Sequence, residues 1–273
     1  ESMTRAQAKL IDVARAADVS TATVSRALSS PQLVSKAALR RVEAAIRKLR
    51  YVPHGAARAL RSQRTRAIGA IVPTLGNAIF ANYIQSLQKQ LGTRGYRLLL
   101  SCNEYDAAME QSLVAPLIQH GVDGLVLVGR DHTEAMFRAL ADHRIPYVLT
   151  WTAGGRSRHP CIGFDNAAAA QQVARFLLDL DHRRFAMIAG ICKGNDRARE
   201  RVAGVRRALS ARGIALPSSH VLERAYSFGG GREAMRALMH LKPRPTAVIC
   251  GNDVLAVGAI AQCQDMGIDV PRT

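Results

Sequence analysis

Apolar residues along this chain follow two different rhythms, and the change between them divides it. Leu10, Ile11, Val13, Ala14 and Ala17 recur at helical spacing and form one stripe. Asp18-Val19-Ser20 interrupts it: Asp tolerates a left-handed turn better than most residues, Val19 can tuck inward, and Ser20 is a favoured N-cap. A second helix is predicted over Thr21 to about Leu28, burying Val24, Ala27 and Leu28. Ser35 caps a third helix to about Arg50, with Leu39, Val42, Ala45, Ile46 and Leu49 on its apolar face. Three short helices around Val13, Val24, Leu28, Val42, Ile46 and Leu49 close a small core, and the first two have helix-turn-helix form.

Beyond Arg66 short apolar runs alternate with helical stretches, as in βαβ units. Ala67–Val72 reads as a buried strand ended by Pro73. Helix Phe80–Gly92, strand Tyr96–Ser101, helix Met109–His120, strand Gly124–Val128, helix Thr133–His143 and strand Tyr147–Thr150 follow, punctuated by Gly95, Gly121 and Pro146. The pattern then repeats: helix Ala167–Leu180, strand Phe185–Ala189, helix Arg199–Arg212, a strand near Val221, helix Gly231–Leu241, strand Ala247–Cys250 and helix Val254–Met266. These are two parallel, doubly wound layers. The expected organisation is a helix-turn-helix headpiece at 1–52, a hinge and linker at 53–66, and α/β lobes at 67–164 and 165–273.

Charge sharpens that division. Residues 1–66 hold 14 Lys+Arg against 4 Asp+Glu, a net of +10 out of the chain's +17, which is the asymmetry that phosphate neutralisation needs. A three-helix bundle with no DNA role would show the same apolar stripes; the charge weighs against it. The second helix presents Thr21, Ala22 and Thr23 in its first turn, with Ser25 and Arg26 one turn on. These are short or bidentate side chains at the end that enters a major groove, and Arg to a guanine edge is the commonest base-specific contact. Pro53 cannot extend the third helix but is well placed to open a short basic one, roughly Gly55 to Ser62, too short to be stable alone in water. With 273 residues, 48% of them apolar, the chain can bury a real core. Its five cysteines are widely spaced with no CxxC pair, so neither a disulfide framework nor a zinc site is expected. There is no secretory h-region and no apolar run long enough to cross a membrane, so a cytoplasmic protein is expected.

The run DVARAADVSTATVSRAL, then VS, then RRVEAAIRKLRYVPHGAARAL, resembles the LacI/GalR family of bacterial transcription regulators. The chain departs from the family pattern at Asp18, where Gly is usual, and at His54, where Asn is common. The resemblance continues through VDG at 122–124, IP at 145–146, DHRR at 181–184 in place of GHRR, R-x-x-G at Arg201–Gly204, PTAV at 245–248 and ND at 252–253. It implies a two-lobed effector domain like the periplasmic sugar-binding proteins. It also implies a C-terminal segment beyond Thr273, so the second lobe is expected to be incomplete. Two hinges are implied to pair in the minor groove with Leu60 wedged into a base step, as apolar wedges that kink the duplex do. The DNA-contacting set expected is therefore Ser20, Thr21, Ala22, Thr23, Ser25, Arg26, Ser35, Tyr51, His54, Ala57 and Leu60.

Ligands of open α/β sheets sit beyond the carboxyl ends of strands. Phe80, Arg130, Asp165 and Asn252 occupy such positions, while Arg201, Tyr226 and Phe228 lie where family members hold a ligand. Together they offer aromatic faces and hydrogen-bonding groups suited to a sugar; two inward arginines would favour a carboxylate or phosphate. RDHT at 130–133, IGFDN at 162–166 and QCQDMGIDVP at 262–271 resemble the gluconate-repressor branch, which implies a sugar-acid effector. Asp165 could instead only cap the following helix. The run Gly229-Gly230-Gly231-Arg232 could bind phosphate or be a plain loop. No HExxH, Walker or GxSxG pattern is present, so no catalytic residue, metal or cofactor is expected. The reading is a repressor that binds a palindromic DNA operator as a homodimer under control of a small sugar or sugar acid. The competing classes are a sugar receptor with no DNA role and a sugar-phosphate enzyme.

Overall fold

Helices α1 (Leu10–Ala17), α2 (Thr21–Ser29) and α3 (Lys36–Leu49) form the first of two units into which the chain divides, Glu1–Thr65 and Arg66–Thr273. This computed structural model describes residues 8–52, 64–153 and 158–272. The turn between α1 and α2 is made as its residues require: Asp18 lies at φ 51°, ψ 55°, the left-handed conformation, and Val19 packs inward. Val13, Ala14, Ala17, Val24, Ala27, Val42 and Ala45 are buried, with Leu28, Ile46 and Leu49 packed against them. Ile11, expected in the same stripe, is instead exposed, because the stripe on so short a helix is narrower than its run of apolar residues. A 3-10 turn at Pro31–Leu33, not foreseen, leads into Ser35. The basic helix expected over Gly55 to Ser62, with His54, Ala57 and Leu60, lies outside the described residues.

In the second unit, strands β1 (Ala67–Val72), β2 (Arg97–Cys102), β3 (Gly124–Val128), β4 (Tyr147–Thr150) and β5 (Cys161–Ile162) form an all-parallel sheet in the order β2-β1-β3-β4-β5. Helices α4 (Ala78–Thr93), α5 (Ala107–Gln119) and α6 (Glu134–Asp142) connect them. The two-residue strand β5 is an addition to the expected elements; too short to carry an alternating pattern, it is defined only by its pairing with β4. Register places Ile71 and Leu127 side by side in a core with Leu117, Leu125, Met136, Leu140 and Leu149.

The chain then crosses to a second parallel sheet, β7-β6-β8, made of β6 (Phe185–Gly190), β7 (Val221–Arg224) and β8 (Ala247–Cys250). Helices α7 (Asn166–Asp179), α8 (Asp196–Ser210), α9 (Phe228–Leu238) and α10 (Asp253–Asp265) cover it. Every residue of β6 is buried, as a central strand covered on both faces should be. The glycine run 229–231 is helical rather than a loop. It lies in the first turn of α9, where Gly230 and Gly231 are buried and a Cβ on Gly231 would sit 2.3 Å from the Leu255 carbonyl oxygen. Small residues let α9 and α10 approach closely.

Candidate functional site

Two sets of residues come forward, one in each unit. In the first unit, α2 is set by its cap: Ser20 Oγ accepts from the Thr23 amide at 3.1 Å and lies 2.9 Å from Thr23 Oγ1. Thr21, Ala22 and Arg26 are exposed on this helix and Thr23 half-exposed. Ser35 caps α3, accepting from the Ala38 amide at 3.3 Å. Ser25 and Tyr51, both expected at the DNA, are each only 8% exposed, and Tyr51 is part of the three-helix core. Arg50 in left-handed conformation turns the chain so that Tyr51 folds back, its amide donating to the Ile46 carbonyl at 3.0 Å. A Tyr ring buries a large apolar area, and that burial outweighs exposure here.

In the second unit, the strand ends of both lobes meet. Phe80 is buried in lobe 1, tilted against Trp151 with ring centroids 5.3 Å apart, and Tyr83 packs edge-on against the same indole. Trp151, at the end of β4, has φ 65°. Its carbonyl accepts from Asn166 Nδ2 at 3.0 Å, and Asn166 Oδ1 accepts from Arg201 at 2.8 Å. Arg201 also donates to the Tyr226 hydroxyl at 2.8 Å. Gly190 makes room for that ring, since a Cβ there would lie 2.1 Å from Tyr226 Cζ. The structure thus links Phe80, Arg201 and Tyr226 through Trp151 and Asn166. Arg201 Nε and Thr152 Oγ1 are buried with no hydrogen-bond partner among the described residues.

Arg130 follows β3; its amide donates to Asp196 Oδ2 at 2.8 Å, and its guanidinium lies 3.7 Å from Glu200. Burial, above all, and the nearby Asp196 hold the Glu200 carboxyl above its usual range, opposed by Arg130. Burial also raises the Tyr105 phenol, with Tyr226 adding to it and Arg197 and Arg201 opposing. Tyr105 therefore shares the electrostatic neighbourhood of Arg201. The loop that carries Arg130 is anchored by His132, whose Nδ1 lies 2.7 Å from Glu110 Oε2 and whose Nε2 lies 3.1 Å from the Gly129 carbonyl oxygen.

The remaining expected ligand residues stand at helix starts. Asp165 caps α7, accepting from the Ala168 amide at 2.9 Å. Asn252 caps α10, accepting from the Leu255 amide at 3.0 Å. Phe228 opens α9, 47% exposed, with the Arg232 guanidinium 5.9 Å from its ring centre. Sequence reasoning missed Trp151, Asn166 and Tyr105. Asn166 stands beside the singled-out Asp165, but nothing local distinguishes a buried bridging Asn from an exposed first-turn one. Among the described residues no group of three or more His, Cys, Asp or Glu could hold a metal ion, and no helix is long and apolar enough to cross a membrane.

Two families match the chain: "Bacterial regulatory proteins, lacI family" over residues 9–54, and "Periplasmic binding proteins and sugar binding domain of LacI family" over residues 65–273. The HTH-type transcriptional repressor PurR of Klebsiella pneumoniae is 31% identical over 267 residues, covering 97% of this chain and 78% of its own. The HTH-type transcriptional regulator GntR of Escherichia coli K12 is 32% identical over 266 residues, covering 96% and 78%. A crystal structure of a LacI-family transcriptional regulator from Silicibacter pomeroyi superposes with a TM-score of 0.85 at 27% identity, covering 97% of this chain and 79% of that one.

Proposed function

Because the chain belongs to the LacI family of bacterial regulatory proteins, we propose that it is a sequence-specific transcriptional repressor whose hold on DNA is set by a small sugar or sugar acid. The observation that carries the reading is the pairing, in one chain, of a basic helix-turn-helix with a two-lobed α/β domain whose strand ends converge on Arg201. The exposed Thr21, Ala22 and Arg26 of α2 read base edges in a major groove, and Ser20 and Ser35 sit at helix starts suited to phosphate. Two copies related by a two-fold axis bind a palindrome, with Leu60 at its centre. The protein works in the cytoplasm, where its DNA is, and carries out no reaction.

The effector site is the cleft around Phe80, Arg130, Arg201 and Tyr226. Both hydrogen-bond partners of the Arg201 guanidinium, Asn166 Oδ1 and the Tyr226 hydroxyl, are neutral. That supports an effector bearing a carboxylate, for which an arginine fork is the fitting partner. Effector binding favours one arrangement of the lobes, and the DNA-bound state is coupled to that choice.

The test is selection of bound duplexes from a random DNA pool, repeated at two salt concentrations. A palindrome with a flexible central step is the expected product. Recovery of no motif, with affinity simply collapsing as salt rises, would mean non-specific charge contact and would refute the assignment.

A further inference from the structure

We infer that the two lobes are held shut by a charge clasp of the chain's own residues, which must open before a ligand reaches Arg201. The inference rests on the reading of this cleft as the effector site, and adds how entry to it is controlled. The clasp joins the loop after β3 to the first two turns of α8. Arg199 donates to both carboxylate oxygens of Asp131, at 2.6 and 2.5 Å, and to the Cys192 carbonyl at 2.8 Å. The Arg130 amide donates to Asp196, and the Arg130 side chain faces Glu200. Arg197, buried, donates to the Val128 carbonyl of β3 at 3.3 Å and to Asp196 Oδ1 at 2.6 Å. Lobe 1 thus offers a carboxylate, a guanidinium, an amide and a carbonyl, and lobe 2 answers each with its complement.

Backbone fit is equally close. A Cβ on Gly129, at φ 87°, would stand 1.9 Å from the Arg197 guanidinium, and one on Gly194, at φ 65°, would stand 2.1 Å from the Tyr105 carbonyl oxygen. Both positions combine a left-handed backbone with a contact from the opposite lobe, and glycine alone meets both demands. A single half-exposed ion pair contributes little. Here one bidentate pair, one longer pair and two backbone-directed bonds interlock on adjacent residues, so each is already ordered by the next. In the same unit Arg201 Nε and Thr152 Oγ1 are buried without a hydrogen-bond partner among the described residues. Leaving a buried donor unsatisfied is unfavourable; the clasp offsets that cost, and a ligand that enters gains by satisfying it.

Charge reversal tests this in the full chain with no sugar and no DNA added. Asp131→Arg and Arg199→Asp are each expected to raise amide exchange across residues 196–201 by about ten-fold or more, and to enlarge the radius of gyration. The double reversal should return both towards the parent values. Asp131→Asn and Arg199→Gln, which place no like charges together, should move both in the same direction by less. Unchanged exchange in folded single variants, or a double reversal as open as either single, would overturn the clasp. A panel of aldoses and aldonates then separates this from the effector reading. Faster association with the opened variants than with the parent supports the gate, and equal rates overturn it. Failure of every panel member to bind any variant counts against the effector reading, while the exchange result still decides the clasp.

Discussion

At the scale of single residues, the proposed base reader Arg26 and the buried Asn166 offer the most direct tests. Arg26 is exposed on α2. Arg26→Ala is expected to relax preference at one base position of the operator, at a cost of about 1–3 kcal/mol. Competition between cognate duplexes and singly substituted ones checks it, and equal losses on every sequence would refute a base-reading role. Asn166 is fully buried and uses both ends of its amide: its Nδ2 donates to the Trp151 carbonyl and its Oδ1 accepts from Arg201. Asn166→Leu leaves a buried carbonyl and a guanidinium nitrogen without that partner, which should cost about 1–3 kcal/mol. Asn166→Asp keeps the acceptor and should cost less. Urea unfolding of the two variants decides it; a leucine variant no less stable than the aspartate one would contradict the account.

At the scale of elements, the caps do what the capping residues announce, and the surprises come from packing. Ser20, Ser35, Asp165 and Asn252 all accept from an amide in the first turn of their helices. Such bonds satisfy donors that the helix cannot. Asp165 and Asn252, also expected at the effector, each make such a cap bond. Ser20→Ala is expected to destabilise α2 by about 1 kcal/mol, read as faster exchange of its amides in the intact chain; Ser20→Asp should restore protection. Ile11 went outward from its expected place in the stripe, and Tyr51 packs inward into the three-helix core. The reason is common to both: which face of a short helix or turn is buried depends on where the neighbouring helices lie, and a run of apolar residues does not state that.

At the scale of the whole molecule, the second unit holds two partly buried thiols, Cys192 in a loop and Cys250 at the end of β8. Burial above all, with Glu223 adding to it, pushes the Cys192 thiol up to about 11. Burial, with Cys263 adding to it, pushes Cys250 to about 11 as well. A group whose folded value lies above its unfolded one favours the folded state most while protonated in both. The contribution is thus complete below the ordinary thiol value of 9.0 and is lost as pH rises from there through about 11. The urea midpoint of the parent should therefore fall more steeply between those values than that of a Cys192→Ala, Cys250→Ala variant. Parallel curves would show that the two thiols contribute nothing to alkaline unfolding.

The order of elements was legible from the sequence almost throughout, because periodicity, capping residues and turn residues are local properties. Gly124–Val128, Tyr147–Thr150 and Ala247–Cys250 fall on the strands β3, β4 and β8 residue for residue. The left-handed turn at Asp18, the basic headpiece and the two-layer α/β plan were likewise written in residue type and charge. The site was only half legible. Arg201 and Tyr226 were singled out and are joined by a hydrogen bond, yet Asn166, which bonds Arg201, and Trp151, which bonds Asn166, were not. Nor were Asp131 and Arg199, which are 68 positions apart in the chain and bonded across the lobes. Contacts of that kind depend on how two sheets face one another, and no local pattern encodes it. The chain by itself determined which segments fold into helices and strands and where positive charge gathers. Only the tertiary structure decided which charges meet, because the free energy of a buried pair depends on distance and desolvation, and both are set by the packed fold.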